Sequence, residues 1–421
     1  MTLEEHPPMR TLDLESLDQI KASQAADIER LRAPDGYLFA GLPWFKTLFG
    51  RDSLLSAWQL LDYDPSIAKD TLRCLAQHQG RRSVGRTDEA PGKILHILDY
   101  TPPYFPLNLL AIVSKNIFRV FPYFGSVDST PLFILVAARY LEKTGDSQFI
   151  SDIWPNIEMA ADWTVSYGDL DGDGFIEYAR GSRFGVRNQN WKDALPYVPM
   201  KLPVAAVEVQ GYAYAALVEA AGMARKLGRD SRDWERTADN LRTQFNRAFW
   251  MDDLGYFALA LDGNKEPVRE IASNQGRLFF TGIMDEDKER KVVARLFAED
   301  MFTPYGIRTH STLSRYFDPR ACHLGTIWPH DNWMIWLGLR SRGYAEESET
   351  VLEATFRAYR ELSFLPEFFN VIDGRPAVTR SHRGVLGLYL PFRKPCYPQA
   401  WVCGSLWYMA NTLATESGET K

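Results

Sequence analysis

The sequence has 421 residues, of which 45% are hydrophobic and 13% aromatic, with a formal net charge of −6. That balance supplies a large apolar core and excludes a basic nucleic-acid-binding surface. No charged-then-apolar leader and no apolar run of ~18 residues is present, so no membrane partner is expected and a cytoplasmic location is.

In chain order, the first 25 residues are polar at the start and are expected to form a partly frayed N-terminal extension. Ser53–Leu61 and Ile67–Gly80 then read as helices. "LNLLAIVSKNIFRVF" (Leu107–Phe121) is the most apolar candidate, interrupted by Lys115 and Arg119, and reads as a buried helix. "DSTPLFILVAARYLEKTGD" has Asp128 or Ser129 as N-cap, Pro131 in its first turn and Gly145 at its end, which are start and stop signals in the expected order. Asn156–Gly168 and Val209–Gly228 follow. In "WERTADNLRTQFNRAFW", Trp234, Ala238, Leu241, Phe245 and Phe249 recur at steps of three and four, one apolar helical face. Asp285–Ala298, Asn332–Gly343, Glu346–Leu362 and Ala400–Leu413 are helical too. Strand signals are short, as in "GYFALALDG" (Gly255–Gly263). At ~35 residues per helix and loop, the chain holds about a dozen helices. Its length alone would allow two domains. Helix pairs closed into a ring, an (α/α)6 toroid, would instead bury every apolar face in one domain spanning residues 1–421, with short β hairpins in its loops.

The four cysteines, Cys74, Cys322, Cys396 and Cys403, are scattered and fit reduced thiols. No GxSxG, Walker, HExxH or Rossmann pattern is present. What remains is a set of acids and aromatics at loop-to-helix junctions. "GLPWFKTLFGRDSLLS" sets Trp44 and Phe45 before Arg51 and Asp52. Asp52 or Ser53 could serve simply as an N-cap. An Arg–Asp pair beside aromatics is also a clamp for sugar hydroxyls, whose rings offer flat faces to indoles. "DLDGDGFIEYAR" starts like a calcium loop at Asp169, Asp171 and Asp173. The twelfth position, where calcium needs Glu, is Arg180, so no metal or other cofactor is expected and calcium is only a minor alternative. "NQNWKDALPY" puts Asp193 among Gln189, Trp191 and Lys192. Aromatic packing there can raise a carboxyl pKa into the range of a general acid; capping is the plainer role. "GTIWPHDNWMIW" packs His330, Asp331 and Asn332 between tryptophans at a helix start, where capping is again an alternative. "LSFLPEFFNVIDG" isolates Glu367 among phenylalanines, which is costly without a partner or a task. "CYPQAW" places Gln399 and Trp401 at the start of the last helix.

Taken in order, "GLPWF…GRDSL", "DSTPLF", "DLDGDGFIEY", "NQNWKDA", "VEVQGYAYAAL", "SNQGRLFF", "YGIRTHS", "GTIWPHDNWM", "LPEFF" and "CYPQAW" resemble the catalytic (α/α)6 barrel of the amylo-α-1,6-glucosidase (glycogen-debranching) type. Its relatives include processing α-glucosidases, trehalases and neutral invertases. The resemblance implies an inverting, exo-acting glycoside hydrolase on α-1,6- or α-1,4-linked gluco-oligosaccharides. It implies Asp193 as general acid, from a W-x-D segment, and Glu367 as general base, from L-P-E. Trp44, Phe45, Arg51, Asp52, Gln189, Trp191, Lys192, Gln210, Trp328, His330, Asp331, Gln399 and Trp401 would line the glycosyl pocket. The debranching proteins usually carry a β-rich domain ahead of the barrel. This sequence does not show one, which favours a more open site or a small free substrate. The same barrel acting on a disaccharide, a glycosylglycerate or a fructofuranoside is the alternative, as is a carbohydrate-binding barrel without catalysis.

Overall fold

The computed structural model describes residues 14–99, 121–183, 185–194, 197–385, 388–391 and 393–419. The helix expected at 107–121 lies, Phe121 apart, outside the described residues.

The helices are α1 (Leu14–Leu31), α2 (Gly50–Gln59), α3 (Pro65–Gln77), α4 (Ser129–Thr144), α5 (Ser147–Asp152), α6 (Trp154–Asp162), α7 (Val207–Lys226), α8 (Trp234–Ala248), α9 (Glu286–Leu296), α10 (Pro329–Ser341), α11 (Ala345–Leu362) and α12 (Ala400–Glu419). A 3-10 helix, Ser273–Thr281, stands between α8 and α9. Their ends follow local chemistry. Asp64 caps α3 by accepting from the Ser66 N–H at 2.9 Å, with Pro65 in the first turn. Gly145 ends α4 in the left-handed region, at φ 69°. Asp128 precedes α4 without capping it, because its carboxylate is turned toward Arg51.

Six elements form a closed ring. α2 packs on α4, α4 on α7, α7 on the 3-10 helix, that helix on α10, α10 on α12, and α12 back on α2. All ten residues of α2 are buried, as are most of α4, α7, the 3-10 helix and α10. A helix buried all round belongs inside. The partners lie outside: α1 on α12, α3 on α2 and α4, α6 on α4 and α7, α8 on α7, α9 on the 3-10 helix and α11 on α10. These keep a single buried stripe, seen in α8, where Trp234, Ala238, Leu241 and Phe245 are covered. This is the (α/α)6 toroid expected from the sequence. Its strands are short antiparallel hairpins in the connections, among them Trp250–Met251 with Tyr256–Phe257 and His382–Val385 with Leu388–Pro391.

Two expectations are corrected. Residues 14–25 are not frayed: they belong to α1, whose Leu17, Ile20, Gln24, Ile28 and Leu31 are buried at helical spacing where α1 meets α12. The 3-10 helix was not foreseen, since nine residues beginning Ser-Asn-Gln-Gly carry too short a periodic signal.

The inner elements all point their N-terminal ends toward one mouth. Arg51 at the start of α2 bonds Asp128 before α4. Glu208 at the start of α7 bonds Asn274 at the start of the 3-10 helix, and Gln399 before α12 bonds Asp52. Close approach needs glycine at two places. A Cβ on Gly50 would lie 2.1 Å from the Leu95 carbonyl oxygen, and one on Gly338 would lie 2.6 Å from the Phe279 Cβ and 2.9 Å from the Phe280 nitrogen. Backbone atoms cannot swing aside, so Gly338→Ala is expected to destabilise by about 1–3 kcal/mol through overpacking. Thermal denaturation followed by circular dichroism checks this, and an unchanged midpoint would show that α10 and the 3-10 helix can separate freely.

Candidate active site

Asp193 sits in the loop between α6 and α7, and Arg51 reaches it from α2. The Arg51 guanidinium is 3% exposed. Its Nε donates to Asp128 Oδ2 at 2.6 Å and its Nη1 to Asp193 Oδ2 at 3.2 Å. Ser126 Oγ donates to the other Asp128 oxygen. Burial raises the Asp193 pKa; Arg51 opposes that shift and the nearby Asp128 adds to it. His96 Nε2 lies 3.8 Å from Asp193 Oδ2. Burial, reinforced by Arg51, lowers the His96 pKa to about 3, so this ring is neutral.

Glu367 follows α11 on the opposite side of the ring. Both of its oxygens accept from Arg393, Oε1 from Nη2 at 2.8 Å and Oε2 from Nη1. The Cys396 N–H also donates to Oε2 at 3.0 Å. A backbone bond from the N–H of Glu367 to the Cys396 carbonyl at 2.9 Å closes the loop around the carboxylate. A third acid, Asp52, borders the same cleft. Burial first, then the charges of Asp193 and Glu367, raise its pKa to about 7 against the pull of Arg51.

Asp193, Glu367, Asp52 and Arg51 share the wall of one cleft of about 460 Å³ with Trp191, Trp328 and Trp401. Asp193 also borders an outer cavity of about 810 Å³, walled by Phe45, Phe49, Phe121, Tyr123 and Val186. Glu367 and the tryptophans border only the inner one. Arg51 Nη2, His96 Nδ1, Trp191 Nε1, His323 Nδ1 and Trp401 Nε1 are buried in residues of the inner wall and have no partner among the described residues. Such a cluster of unsatisfied donors and acceptors needs an explanation, and a polyhydroxylated ligand provides one.

The remaining residues singled out from the sequence stand behind this wall. Gln399 Nε2 holds Asp52 Oδ2 at 3.3 Å. Gln189 bonds Asp88, and Gln210 holds both backbone groups of Ile176, securing the acidic turn against α7. Lys192 turns away from the cleft to the Thr309 carbonyl, and burial lowers its pKa to about 7. His330 stacks on Trp401, and Asp331 pairs with Arg277. Trp44 is half-buried and does not border the cleft. Asp52, Asp331 and Asn332 are not caps: no side chain caps α2 or α10, and Asn332 instead brackets the Ile307 backbone. Sequence reasoning missed His96, His323, Arg393 and Asp128. Their only signal was charge or imidazole near other motifs, too common to separate from ordinary surface or core use.

Asp169, Asp171, Asp173 and Glu177 gather their oxygens within 4.8 Å of one another. Lys265 Nζ enters the group, 2.7 Å from Asp171, 2.6 Å from Asp173 and 2.6 Å from Glu177. The side chain of Glu177 is fully buried there, so its charge depends on that ammonium. Lys265→Met is therefore expected to lower the melting temperature by several degrees, whereas dialysis of the wild type against EDTA is expected to leave it unchanged. A drop on chelation would show that the loop relies on a metal instead.

Asp52 gives a second test. Its folded-state pKa is raised, so stability is greatest below the unfolded value near 3.8 and falls as pH rises through about 7. Asp52→Asn removes that loss. The variant should match wild type at pH 4 and melt a few degrees above it at pH 8.

The chain matches the family described as the mannosylglycerate hydrolase MGH1-like glycoside hydrolase domain over residues 48–383. A mannosylglycerate hydrolase from Rubrobacter radiotolerans is 24% identical over 159 residues, 37% of this chain and 36% of that protein. The match thus spans about a third of that relative's length. The GH63 mannosylglycerate hydrolase from Thermus thermophilus in complex with Tris is similar in fold, with TM-score 0.70 and 14% identity over 93% of this chain and 100% of that one. The same enzyme in complex with glucose gives TM-score 0.69 and 16% identity over 94% and 100%. The motif set resembled the debranching type; the matched family is instead the mannosylglycerate hydrolase one. Among the described residues, no helix is long and apolar enough to cross a membrane. Most of the chain lies within the matched region, and this protein belongs to the mannosylglycerate hydrolase MGH1-like glycoside hydrolase family.

Proposed function

We propose that this glycoside hydrolase cleaves the α-glycosidic bond of a small hexosylglycerate, mannosylglycerate or its gluco counterpart, with inversion. The observation that carries the mechanism is the unequal placing of two carboxyls on one cleft. Asp193 borders both cavities, where the glycosidic oxygen between a hexose inside and its leaving group outside would lie. Its raised pKa keeps a proton available for that oxygen. Glu367 borders only the inner cavity, and Arg393 grips both of its oxygens, which fixes the carboxylate in place for the part of a base. In the step, Asp193 gives its proton to the departing oxygen as the C1–O bond breaks. Glu367 takes a proton from water as that water's oxygen bonds C1 from the opposite face. Inversion requires the carboxyls to stand ~6.5–9.5 Å apart, leaving room for the water. The indoles offer flat surfaces to the ring, and Arg51 Nη2 with the Nε1 groups of Trp191 and Trp401, unpartnered among the described residues, are donors for its hydroxyls.

The substrate class rests on the family and on its relatives. The Thermus thermophilus enzyme is described in complex with Tris and D-glycerate, and with glucose; a hexose and glycerate are the two halves of the bond proposed. One observation favours a second reading. The outer cavity is walled mainly by aromatic and aliphatic side chains, a better match to a second sugar ring than to a carboxylate. A gluco-oligosaccharide or disaccharide would use that wall.

The test is hydrolysis of mannosylglycerate, glucosylglycerate, isomaltose, maltose, trehalose and sucrose by wild type, Asp193→Asn and Glu367→Gln. Preference for a hexosylglycerate, lost by ~10²–10⁴-fold in each variant, is expected. Preference for a disaccharide would select the second reading, and sugar binding without turnover would leave a non-catalytic barrel. The first-formed anomer, read by proton NMR, should be inverted. The raised Asp193 pKa keeps the acid protonated to higher pH than an ordinary aspartate, so the alkaline limb of kcat/KM should lie above the ordinary aspartate range and move in Asp193→Glu.

A further inference from the structure

Arg277, in the 3-10 helix, is 1% exposed and does not border the cleft. All three of its nitrogens are used. Nε donates to Asp331 Oδ1 at 2.6 Å, Nη2 to His330 Nε2 at 2.8 Å and Nη1 to the Tyr212 hydroxyl at 3.3 Å. Its guanidinium carbon lies 3.9 Å from the centre of the Trp191 ring, so it covers one face of that indole. His330 in turn lies flat on Trp401, with centroids 3.8 Å apart and planes within 6°. Burial, with Arg277 beside it, holds His330 well below its usual pKa. The neutral ring therefore accepts from Arg277 at Nε2 and carries its proton on Nδ1.

We infer that Arg277 is a positioning residue that sets the two indole walls of the glycosyl pocket at once, Trp191 by direct contact and Trp401 through His330. The inference rests on the proposed glycosidase site. The physical case is geometric. A guanidinium is a rigid planar fork, so fixing three hydrogen bonds also fixes the plane that lies on Trp191. Tyr212 belongs to α7, His330 and Asp331 to α10, Trp401 to α12 and Trp191 to the loop bearing Asp193. One side chain therefore ties three inner helices and the acid loop to its own element. Trp191 is the residue next but one before Asp193, so tilting the indole moves the acid. An ammonium can pair with Asp331 but cannot also reach His330 and cover an indole.

The test is Arg277→Lys, which keeps the charge opposite the buried Asp331, alongside His330→Phe, which keeps a flat ring on Trp401 but cuts its bond to Arg277. Each variant is assayed for melting temperature, for kcat and KM on the best substrate, and for glucose affinity by tryptophan fluorescence. Arg277→Lys is expected to fold, to lose about 10²-fold in kcat/KM, since ~1 Å of misplacement can cost that much, and to bind glucose several-fold more weakly. His330→Phe should lose less, because Arg277 still covers Trp191 and the new ring can keep the edge contact that His330 makes with it. A lower melting temperature with kcat/KM and glucose affinity within about twofold of wild type in both variants would overturn the inference and leave Arg277 a structural residue. Should Arg277→Lys fail to fold, His330→Phe decides on the same criterion. A wild type that binds glucose in an Arg277-dependent way but hydrolyses nothing would refute the proposed function and support the positioning.

Discussion

The Arg51 guanidinium sets the electrostatic balance of the cleft. A buried cation must be paired, and a single full pairing with Asp193 would leave that acid ionised and unfit for the proton transfer proposed for it. The chain divides the interaction unequally. Asp128 takes the shorter bond, at 2.6 Å, and is itself held by Ser126, while Asp193 receives only an Nη1 contact at 3.2 Å. Desolvation therefore still prevails over attraction at Asp193. Across the cleft the pairing is complete: Glu367 has Arg393 on both oxygens and an N–H besides. Two carboxyls in one cavity thus acquire different characters from their neighbours alone. The N-terminal ends of the inner elements surround both and favour negative charge in the mouth they share.

The sequence was informative where common residue types stand in uncommon places. A carboxylate among phenylalanines, as at Glu367, or beside an indole in a proline-bounded loop, as at Asp193, is expensive without a reason, and so it stood out. Helical periodicity was equally plain for the outer elements, where one face meets water and the other does not. It was weaker for the inner ones, whose buried polar residues, Arg51, Asp52 and Glu208 among them, break the apolar pattern in order to reach the mouth.

What remained hidden depended on direction and on distance. In the loop bearing Asp193, which bends at Asn190 and Trp191, neighbouring side chains go to different sides. Trp191 and Asp193 face the cleft, whereas Asn190 bonds Glu208 and Lys192 bonds the Thr309 carbonyl behind it. Adjacency in sequence suggested that all would line one pocket. Arg393 and His96 reach their carboxylates across turns that no local pattern encodes. The acidic turn at Asp169–Glu177 shows the same limit: the lysine that pairs with three of its acids is Lys265, distant in sequence.

Closure of the ring has a consequence for the order in which the molecule can be built. Gln59 is bonded to Ser405 and Asp52 to Gln399, pairs separated by 346 and 347 residues. Contacts of such range form late, because a long loop must close before they bring any return. At ~5–20 residues per second, Asp52 leaves the ribosome roughly 20–70 s before Gln399. Throughout that interval α2 has no α12 to cover it, and its buried polar face and apolar flank both stand open. The nascent chain therefore needs either rapid docking of its last helix or a chaperone to shield a seam that the finished toroid does not possess.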